Sequence, residues 1–316
     1  YRDARLRCIN LLEAHPQGCT ASCSYCGLGR MREGSSASRG FIRVKWPTLP
    51  FGRVLEAMKD HEGEFARTCI SMITRRGSPD RAVRMIREVR EAVDRPVSVL
   101  VSPTVTGIED LATMRYSCAD RIGISFDAAT PAIFDEMRGR GVRGPHRWDR
   151  YWDLFREAVG IFGERMVGCH LIVGLGETEE EMAACIRPVR DIGGVTHLFS
   201  FFPEAGSPLE DRPQPPVGAY RRIQVARWLI DEGIAPAKDL SFDGCGRIVS
   251  FGLDGDALRG ILASGRPCET SGCPGPDGAV ACNRPFANSR PGPDLRNYPF
   301  PLDGSDVEKA GGELWL

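Results

Sequence analysis

Three cysteines near the start of the chain have a spacing that suits metal chemistry. Cys19, Cys23 and Cys26 form a C-x3-C-x2-C pattern, and Tyr25 directly precedes the last thiol. Three thiolates on one short loop can bind three irons of a 4Fe–4S cube and leave the fourth iron without a protein ligand, whereas an electron-transfer ferredoxin supplies four cysteines. A zinc site with a distant fourth ligand is the alternative, although zinc sites usually pair their cysteines as C-x2-C. The pattern predicts an iron–sulfur cluster with one open coordination position.

The same pattern, with an aromatic residue before its last cysteine, resembles the signature of the radical S-adenosylmethionine (SAM) enzymes. The resemblance implies that SAM chelates the open iron and that one electron cleaves its sulfonium to give a 5′-deoxyadenosyl radical. That radical abstracts hydrogen from an unactivated carbon, while the protein positions the reactants and excludes water. The resemblance also implies that Cys19, Cys23 and Cys26 are the catalytic ligands, that Tyr25 lies beside the cofactor, and that reduced ferredoxin or flavodoxin supplies the electron.

A second string resembles biotin synthase and its relatives. The run from Ile172 to Thr178 reads IVGLGET. In that family the small residues let the backbone approach the adenosyl group, which implies cofactor contacts from Val173, Gly174 and Gly176. The alternative is an ordinary strand-to-helix turn in which Thr178 caps the next helix.

Polar residues that end another strand-like run are also candidates for the cofactor. Ser125 and Asp127 lie two residues apart, so strand alternation places them on one face. The resemblance implies that they contact ribose hydroxyls, and the alternative is that Asp127 only begins a turn. Arg147 and Arg150 are candidates for the SAM carboxylate, because a guanidinium can donate two hydrogen bonds to it. An exposed helix face is the alternative for both arginines.

The sequence departs from the biotin synthase pattern in two places. The second strand lacks the G-G-E string that contacts the methionine amine, and Thr74 is the candidate in its place. The interior 2Fe–2S cluster of common biotin synthases needs a cysteine at a position that aligns with Gly168 here. Cys169 is one place along and points to the other face of the strand. The alignment therefore argues against an interior 2Fe–2S cluster.

A second group of three cysteines lies near the end of the sequence. Cys268, Cys273 and Cys282 form C-x4-C-x8-C and predict an auxiliary iron–sulfur cluster, preferably 4Fe–4S. An all-cysteine zinc site completed by Cys245 is the alternative. The candidates for a non-cysteine fourth ligand are Ser271, Ser289, Arg284 and an external molecule. The other cysteines are predicted to be small buried hydrophobes: Cys8, Cys69, Cys118, Cys169, Cys185 and Cys245.

The elements that must position these residues alternate along the chain. Short apolar runs predict strands, and periodic stretches such as Pro79–Val93 predict amphipathic helices. Capping boxes are predicted at Thr106-x-x-Glu109 and Thr178-x-x-Glu181. The predicted strands are Leu6–Leu11, Cys69–Thr74, Val97–Ser102, Arg121–Phe126, Val167–Val173, His197–Phe202 and Asp239–Phe242. Seven to eight strands in βα alternation predict a complete or nearly complete (β/α)8 TIM-type barrel, with the active site at the C-terminal mouth of the strands.

The segment from Arg266 to Pro301 has a different composition. It is rich in proline and glycine and shows neither a helical nor a strand period. Such a stretch is typical of a linker, but its three cysteines predict that a metal orders it. We therefore divide the chain into a barrel, residues 1–265, and an irregular cysteine-containing C-terminal extension, residues 266–316, that binds the auxiliary cluster.

Composition excludes several classes of protein. The chain has 316 residues and a net charge of -1, so it can bury a core without disulfides and lacks the basic footprint of a nucleic-acid or membrane-surface protein. It contains no apolar run of about 18 residues, as a membrane span requires, and no signal peptide is evident. Its 12 cysteines then favour metal binding or catalysis over disulfides. We expect a cytoplasmic protein that binds neither nucleic acid nor membrane.

Two clusters in one radical enzyme indicate two functions. The first generates the radical, and the second binds substrate, relays electrons or gives up sulfide. Lipoyl synthase and biotin synthase use a second cluster to donate sulfide. The combination of two cysteine groups and the IVGLGET string is most similar to the biotin-synthase-related lipoyl synthases that work as a two-protein pair. The resemblance implies a sulfurtransferase that acts on an octanoylated carrier protein or a small molecule, with a second radical SAM subunit as partner. The alternatives are a biotin synthase with a tail-bound cluster, a radical rearrangement or cofactor-assembly enzyme, and a non-catalytic iron–sulfur or zinc-stabilised protein.

Overall fold

The structure is a computed structural model that describes residues 5–30, 40–41, 44–235, 239–284 and 292–316, with the backbone alone at residues 40–41 and 44–45. Its strands are β1 Cys8–Leu12, β2 Gly40–Phe41, β3 Val44–Lys45, β4 Arg67–Ser71, β5 Val97–Val101, β6 Ala119–Asp127, β7 Val167–Val173, β8 Val195–Ser200, β9 Ser241–Phe242 and β10 Ile248–Ser250. Its α-helices are α1 Phe51–Asp60, α2 Ser78–Ala92, α3 Ile108–Tyr116, α4 Pro131–Met137, α5 Trp148–Phe162, α6 Glu179–Asp191, α7 Val217–Asp231, α8 Gly255–Ala263 and α9 Gly304–Glu313.

The central element is a curled, parallel, six-stranded sheet in the order β1-β4-β5-β6-β7-β8. Its register aligns Asn10 with Cys69, and Cys69 with Ser98, so these side chains share the inner face. Helices α2, α3, α5, α6 and α7 pack against the outer face of the strands. Alternation along each strand therefore sends one set of side chains to the helices and the other into the half-barrel.

The prediction of a complete or nearly complete eight-stranded barrel is corrected to a half-barrel, because six strands form this sheet in the part of the chain that the structure describes. The predicted strand Asp239–Phe242 shortens to β9 and pairs antiparallel with β10. A tight turn closed by the Gly246 N–H on the Asp243 carbonyl, 3.0 Å away, reverses the chain there. Because the chain turns back after two strand residues, this segment forms a separate hairpin.

Helix ends follow the sequence signals at most positions. The Thr178 hydroxyl accepts from the Glu181 N–H at 3.1 Å, and the Glu181 carboxylate accepts from the Thr178 N–H at 2.8 Å, which confirms that capping box. The box predicted at Thr106 is wrong by one residue, because the N–H of Gly107 donates to the Asp110 carboxylate at 2.7 Å. Helix α2 confirms the periodic stretch that begins at Pro79.

The C-terminal segment contacts both edges of the sheet. The Ser271 hydroxyl accepts from the backbone N–H of Leu198 in β8 at 3.3 Å. At the other edge, the Asn283 amide donates to the carbonyl of Arg5, just before β1, at 3.0 Å. The Arg67 guanidinium in β4 donates to the Pro274 carbonyl at 2.7 Å. The segment thus bridges the two edges and lies against the inner face of the half-barrel.

Among the described helices, none has the length and apolar composition that a membrane span would need. The division of the chain at residue 265 stays a prediction.

Candidate functional site

The loop that carries the first three cysteines follows β1 at the C-terminal edge of the sheet. The N–H groups of Ala21 and Leu28 lie 3.4 Å from the sulfurs of Cys19 and Cys26, respectively. The Thr20 N–H donates to the Thr74 carbonyl at 2.9 Å and ties the loop to the end of β4. Backbone donors therefore already point at two of the three sulfurs, as they do around iron–sulfur clusters.

Burial dominates the acidity of these thiols. It raises the pKa of Cys23 to about 11 and the pKa of Cys26 still further. Without a metal both groups are thiols at neutral pH, so a bound cluster must displace their protons.

A cavity of about 580 Å³ opens from this loop into the half-barrel. One end is lined by Cys19, Cys23 and Cys26, and the other by Cys69, Cys273 and Cys282. Much of the wall between them is apolar, with Leu12, Met72, Leu100, Ile172, Phe199 and Phe201. The cavity therefore joins the two thiol groups through a space suited to an apolar ligand.

Asp127 and Tyr25 meet at the wall of this cavity. The Tyr25 hydroxyl donates to the Asp127 carboxylate at 2.5 Å, and the Arg138 guanidinium donates to the same oxygen at 2.6 Å. Burial raises the pKa of Asp127, while Arg138 and Tyr25 act to lower it. Asp127 has a φ of 64°, a left-handed conformation that turns its side chain out of the strand course. Ser125 also lines the cavity, and its carbonyl accepts from Arg138.

The network behind Asp127 was missed at the sequence level. Arg138 donates to the Tyr151 hydroxyl at 2.9 Å, and Tyr151 meets His146 Nδ1 at 2.9 Å. The Thr104 hydroxyl lies 2.6 Å from the same nitrogen. Burial lowers the pKa of His146 to about 2, so this imidazole stays neutral. The only sequence signal was the arginine in the loop after α4, which nothing distinguished from its neighbours.

Arg147 does not line the cavity and bonds locally, and its predicted contact with the SAM carboxylate stays a prediction. Its guanidinium donates to the carbonyls of Gly144 and His146 at 3.1 and 2.6 Å. Arg150 likewise donates to the carbonyl of Thr106 at 2.7 Å. Both arginines hold turns of the backbone, whereas Arg138 and Arg284 line the cavity.

The IVGLGET turn is partly closed off from the cavity. Ile172 lines it, whereas Val173, Gly174 and Gly176 do not. The Gly174 N–H donates to the Glu177 carboxylate at 2.6 Å, and a side chain at Gly174 would lie 2.8 Å from Pro215. The small residue is thus required by protein packing at this turn, and its predicted approach to the adenosyl group stays a prediction.

The second cysteine group is not assembled as the tail spacing predicts. Cys273 and Cys282 line the cavity, but Cys268 packs apart from it with Leu295, Tyr298 and Ala310. Its nearest charged neighbour is Arg221 on α7, which lowers the pKa that burial raises. A 3₁₀ turn over Arg266–Cys268 directs it toward α7 and away from the strands. The structure therefore separates Cys268 from Cys273 and Cys282, and the three-cysteine ligand set stays a prediction.

Two strand cysteines, Cys8 and Cys69, contact Cys282. Thiols of Cys8 and Cys69 hydrogen-bond to Cys282 and hold its pKa well below the usual range. The same contacts raise the pKa of both strand thiols. The sequence-based assignment of Cys8 and Cys69 as packing residues missed this contact. The available signal was that the two cysteines lie on the first and second predicted strands, which are neighbours in the sheet.

Two histidines line the cavity near these thiols. The rings of His170 and His197 stand 5.3 Å apart, edge to face, and burial lowers the pKa of His170 to about 3. The Arg284 guanidinium lies over the Phe199 ring at 4.3 Å. Cys169 points to the outer face, as alternation predicted, and the position of Gly168 is filled by His197. Ser289, a candidate fourth ligand, lies outside the described residues.

The residues at the first end fit a cluster with three protein ligands. Three thiols on one loop face a common space, and backbone N–H groups point at their sulfurs. Within the described ranges, no three His, Cys, Asp or Glu side chains surround one point as a single metal ion requires. Cluster thiolates bind different irons and so stand farther apart than the ligands of one ion.

Comparison with known proteins agrees with this geometry. A family model for the radical SAM superfamily matches residues 14–188, more than half of the chain. No curated protein matches the sequence. The solved methylornithine synthase PylB is 18% identical, with a TM-score of 0.52 over 66% of this chain and 58% of that chain.

Two hydrogenase maturases give similar values. A FeFe-hydrogenase maturase HydG is 14% identical, with a TM-score of 0.55 over 72% of this chain and 51% of that one. HydG from Carboxydothermus hydrogenoformans is 14% identical, with a TM-score of 0.53 over 73% and 52%. The chain thus spans between half and three-fifths of the length of these structures, and the likeness shows the fold alone.

The family match accounts for the cysteine loop, the parallel half-barrel and the cavity at the C-terminal ends of the strands. Its members use SAM and a 4Fe–4S cluster and take electrons from a reductant such as ferredoxin or flavodoxin. On the match over residues 14–188, the chain belongs to the radical SAM superfamily.

Proposed function

We propose that the chain is a radical SAM enzyme that inserts sulfur at unactivated carbons of an acyl chain, with an octanoyl group on a carrier protein as substrate. One observation carries the proposal: a single cavity has the thiols of Cys19, Cys23 and Cys26 at one end and those of Cys273 and Cys282 at the other. A carbon held between them would face a radical source on one side and a sulfur source on the other.

The residues at the first end have distinct roles in the proposal. When bound, SAM and the four-iron cluster supply a 5′-deoxyadenosyl radical that removes a hydrogen atom. Cys19, Cys23 and Cys26 hold the cluster, and Ser125 and Asp127 face the ribose. Arg138 is a positioning residue, because its guanidinium fixes the Asp127 carboxylate at 2.6 Å.

The cavity wall supports an alkyl substrate. Leu12, Met72 and Leu100 line it from one side, and Ile172, Phe199 and Phe201 from the other. Burying an alkyl chain against such a wall gains about 0.8 kcal/mol per methylene, and the same wall excludes water from the radical.

The overall chemistry balances for each carbon. The C–H bond is replaced by a C–S bond, and the hydrogen leaves in 5′-deoxyadenosine. One SAM and one electron from the reductant would be consumed to form the radical, and methionine would leave. An auxiliary cluster held by the residues at the second end would supply the sulfur and accept the electron released as the C–S bond forms.

Anaerobic incubation with SAM, a reductant and either octanoyl carrier protein or dethiobiotin tests the proposal. We expect 5′-deoxyadenosine and sulfur-containing octanoyl product, read by mass spectrometry. Cys273→Ala should keep SAM cleavage and lose the sulfur product, and Cys245→Ala, at an exposed thiol, should keep both. Sulfur in dethiobiotin alone would replace the substrate with that of biotin synthase, and cleavage without sulfur in either would overturn sulfur insertion.

A further inference from the structure

Four thiols converge on the inner face of the half-barrel from three distant parts of the chain. Cys8 lies on β1, Cys69 on β4, and Cys273 and Cys282 on the C-terminal segment. Cys282 is 6% exposed and Cys8 is fully buried, while Cys69 and Cys273 line the cavity. Among the described cysteines, these four interact with one another, and no other cysteine interacts with them.

Strand register explains why the two barrel cysteines meet. Asn10 is two residues after Cys8, so both side chains point inward. Cys69 is the direct partner of Asn10 across the parallel pair. The Asn10 side-chain oxygen lies 3.9 Å from the Cys8 sulfur and 4.0 Å from the Cys282 sulfur. Cys8, Cys69 and Cys282 are therefore arranged around this asparagine.

Backbone bonds hold the two tail thiols against the strands. The N–H groups of Ala281 and Cys282 donate to the Cys273 carbonyl at 3.0 and 3.1 Å, which places the two cysteines on one hairpin-like turn. The Arg67 guanidinium donates to the Pro274 carbonyl at 2.7 Å, next to Cys273. The turn is thus fastened to the same strand that carries Cys69.

Arginines carry the positive charge near two of the four thiols. Arg67 and Arg121 act on Cys273, and Arg284 acts on Cys282. Burial lowers the pKa of His197 well below its usual value, so this imidazole is neutral. Among the described residues, the Nε of Arg284 and the Nδ1 of His197 are buried without a hydrogen-bond partner. An iron–sulfur cluster with four thiolate ligands is an anion, and such donors stabilise it and its sulfurs.

We propose that Cys8, Cys69, Cys273 and Cys282 are the ligands of the auxiliary iron–sulfur cluster, which lies inside the half-barrel, and that Cys268 is not a ligand. A cluster fits better than zinc, because the thiols do not surround one point and three of the four border an open cavity. The role of this cluster as a sulfur source rests on the proposed function, but its ligand set does not.

Iron and sulfide content tests the ligand set without any turnover. The parent protein carries Cys19→Ala, Cys23→Ala and Cys26→Ala, so only the second site remains. After anaerobic reconstitution we expect two to four irons, with equal sulfide, as four-cysteine clusters contain about two or four. Cys8→Ser, Cys69→Ser, Cys273→Ser and Cys282→Ser should each lower the iron content at least about twofold or shift the electron paramagnetic resonance spectrum of the reduced cluster, because a ligand is changed.

Cys268→Ser and Cys169→Ser are the matched controls, since both thiols are buried outside the set. They should keep the parent's iron and spectrum. Full iron content and an unchanged spectrum in both Cys8→Ser and Cys69→Ser, or loss of iron in Cys268→Ser, would overturn the proposal. One zinc without sulfide would overturn it as well.

A measurement on the unsubstituted chain removes doubt about folding of the variants. Thiols are alkylated before and after the clusters are removed with a chelator, and the sites are read by mass spectrometry. We expect protection that depends on the cluster at Cys8, Cys69, Cys273 and Cys282 but not at Cys268. Cluster-dependent protection of Cys268 in place of Cys8 would contradict the ligand set. A correct ligand set without sulfur transfer would leave this inference standing and remove only the proposed function.

Discussion

The two thiol groups at the ends of the cavity are built in opposite ways. The first comes from one loop, Cys19 to Cys26, whose backbone N–H groups point at its own sulfurs. The second draws Cys8 and Cys69 from neighbouring strands and two more thiols from a segment that starts about 200 residues later. A group on one loop can be predicted from the spacing of its cysteines in the sequence. A group assembled by strand register can be identified only when the fold is known.

The difference also predicts how the two groups fail. The loop depends mostly on its own residues, with outside contacts from Thr20 to the Thr74 carbonyl, from Ser24 to the Met137 carbonyl and from Tyr25 to Asp127. The second group, here called the inner group, consists of Cys8, Cys69, Cys273 and Cys282. It depends on both the sheet register and the C-terminal segment. Perturbing distant residues should therefore affect the inner group more than the loop.

The largest expected effect comes from Cys23→Ala. Loss of one of three ligands on the loop should reduce SAM cleavage to background, while the iron bound by the inner group remains. Chromatography of 5′-deoxyadenosine and iron analysis measure the two outcomes. Cys245→Ala, an exposed thiol in the β9–β10 hairpin, is the control. If Cys23→Ala also emptied the inner group, the two groups would not be independent.

Arg67→Ala should destabilise the fold by about 2–3 kcal/mol, because it leaves Asp120 without its buried partner. The guanidinium donates to both Asp120 oxygens at 2.6 and 2.5 Å, but Asp120 is 34% exposed, so the loss falls below that of a fully buried pair. Urea unfolding gives the free energy, and iron content of the inner group should fall too. Arg84→Ala, at an exposed ion pair with Glu88, should cost no more than about 0.5 kcal/mol. Equal losses in both variants would contradict the buried role of Arg67.

Arg138→Gln should weaken SAM binding about 10- to 100-fold, the equivalent of a lost hydrogen bond to a charged group of about 1.5–3 kcal/mol. Without the guanidinium, the Asp127 carboxylate loses its ion pair in a buried position. Equilibrium binding of SAM to the reconstituted enzyme measures the change. Arg147→Gln should leave the affinity unchanged, because its guanidinium bonds only local carbonyls. An equal loss in both variants would restore Arg147 to the site.

Acid should lower the free energy of unfolding of the chain through His146. Burial lowers the pKa of this imidazole to about 2 in the folded chain, so below pH 6.5 the unfolded chain binds a proton that the folded chain does not. The unfolding free energy should fall with falling pH, and His146 should contribute about 1.4 kcal/mol per pH unit. His146→Gln should remove that contribution in urea titrations between pH 6 and 4, as measured against the exposed control His61→Gln. An unchanged slope in His146→Gln would show that the imidazole is accessible to protons.

The smallest expected effect is that of Ser271→Ala. The variant loses the hydroxyl that accepts the Leu198 N–H at 3.3 Å, worth about 1 kcal/mol. Urea unfolding should show that loss, with a small drop in iron at the inner group and none at the loop. Ser264→Ala, at an exposed serine, should change neither. An effect on SAM cleavage as large as that on the inner group would contradict the local role of Ser271.

The alternation of strand-like and helix-like segments along the sequence predicted most of the fold. Apolar runs and capping boxes located all six strands of the sheet and helix α6 because these signals depend on neighbouring residues. The run Asp239–Phe242 misled because its composition matches a sheet strand, and only the turn at Gly246 shows that it folds into a hairpin. A count of strand-like runs therefore overestimated the barrel.

In the candidate site, too, residues marked by local sequence were predicted and residues that depend on distant contacts were not. Cys19, Cys23 and Cys26 were readable from spacing, and Asp127 from its place at a strand end. Arg138, Cys8 and Cys69 were not, because their roles depend on contacts between elements far apart in sequence. Cys268 is the opposite case. It lies close to Cys273 in the sequence but packs in a separate cluster away from the cavity.

The segment that bridges the sheet has a further consequence for the behaviour of the chain in concentrated solution. A six-stranded sheet that does not close on itself has two edge strands, β1 and β8, whose unpaired backbone groups can template pairing with another molecule. Ser271 already occupies the N–H of Leu198 on one edge, and Asn283 occupies the carbonyl of Arg5 beside the other. The proline-rich composition of this segment makes it a poor strand itself. It therefore occupies one backbone group at or beside each edge while itself pairing poorly with a neighbouring chain.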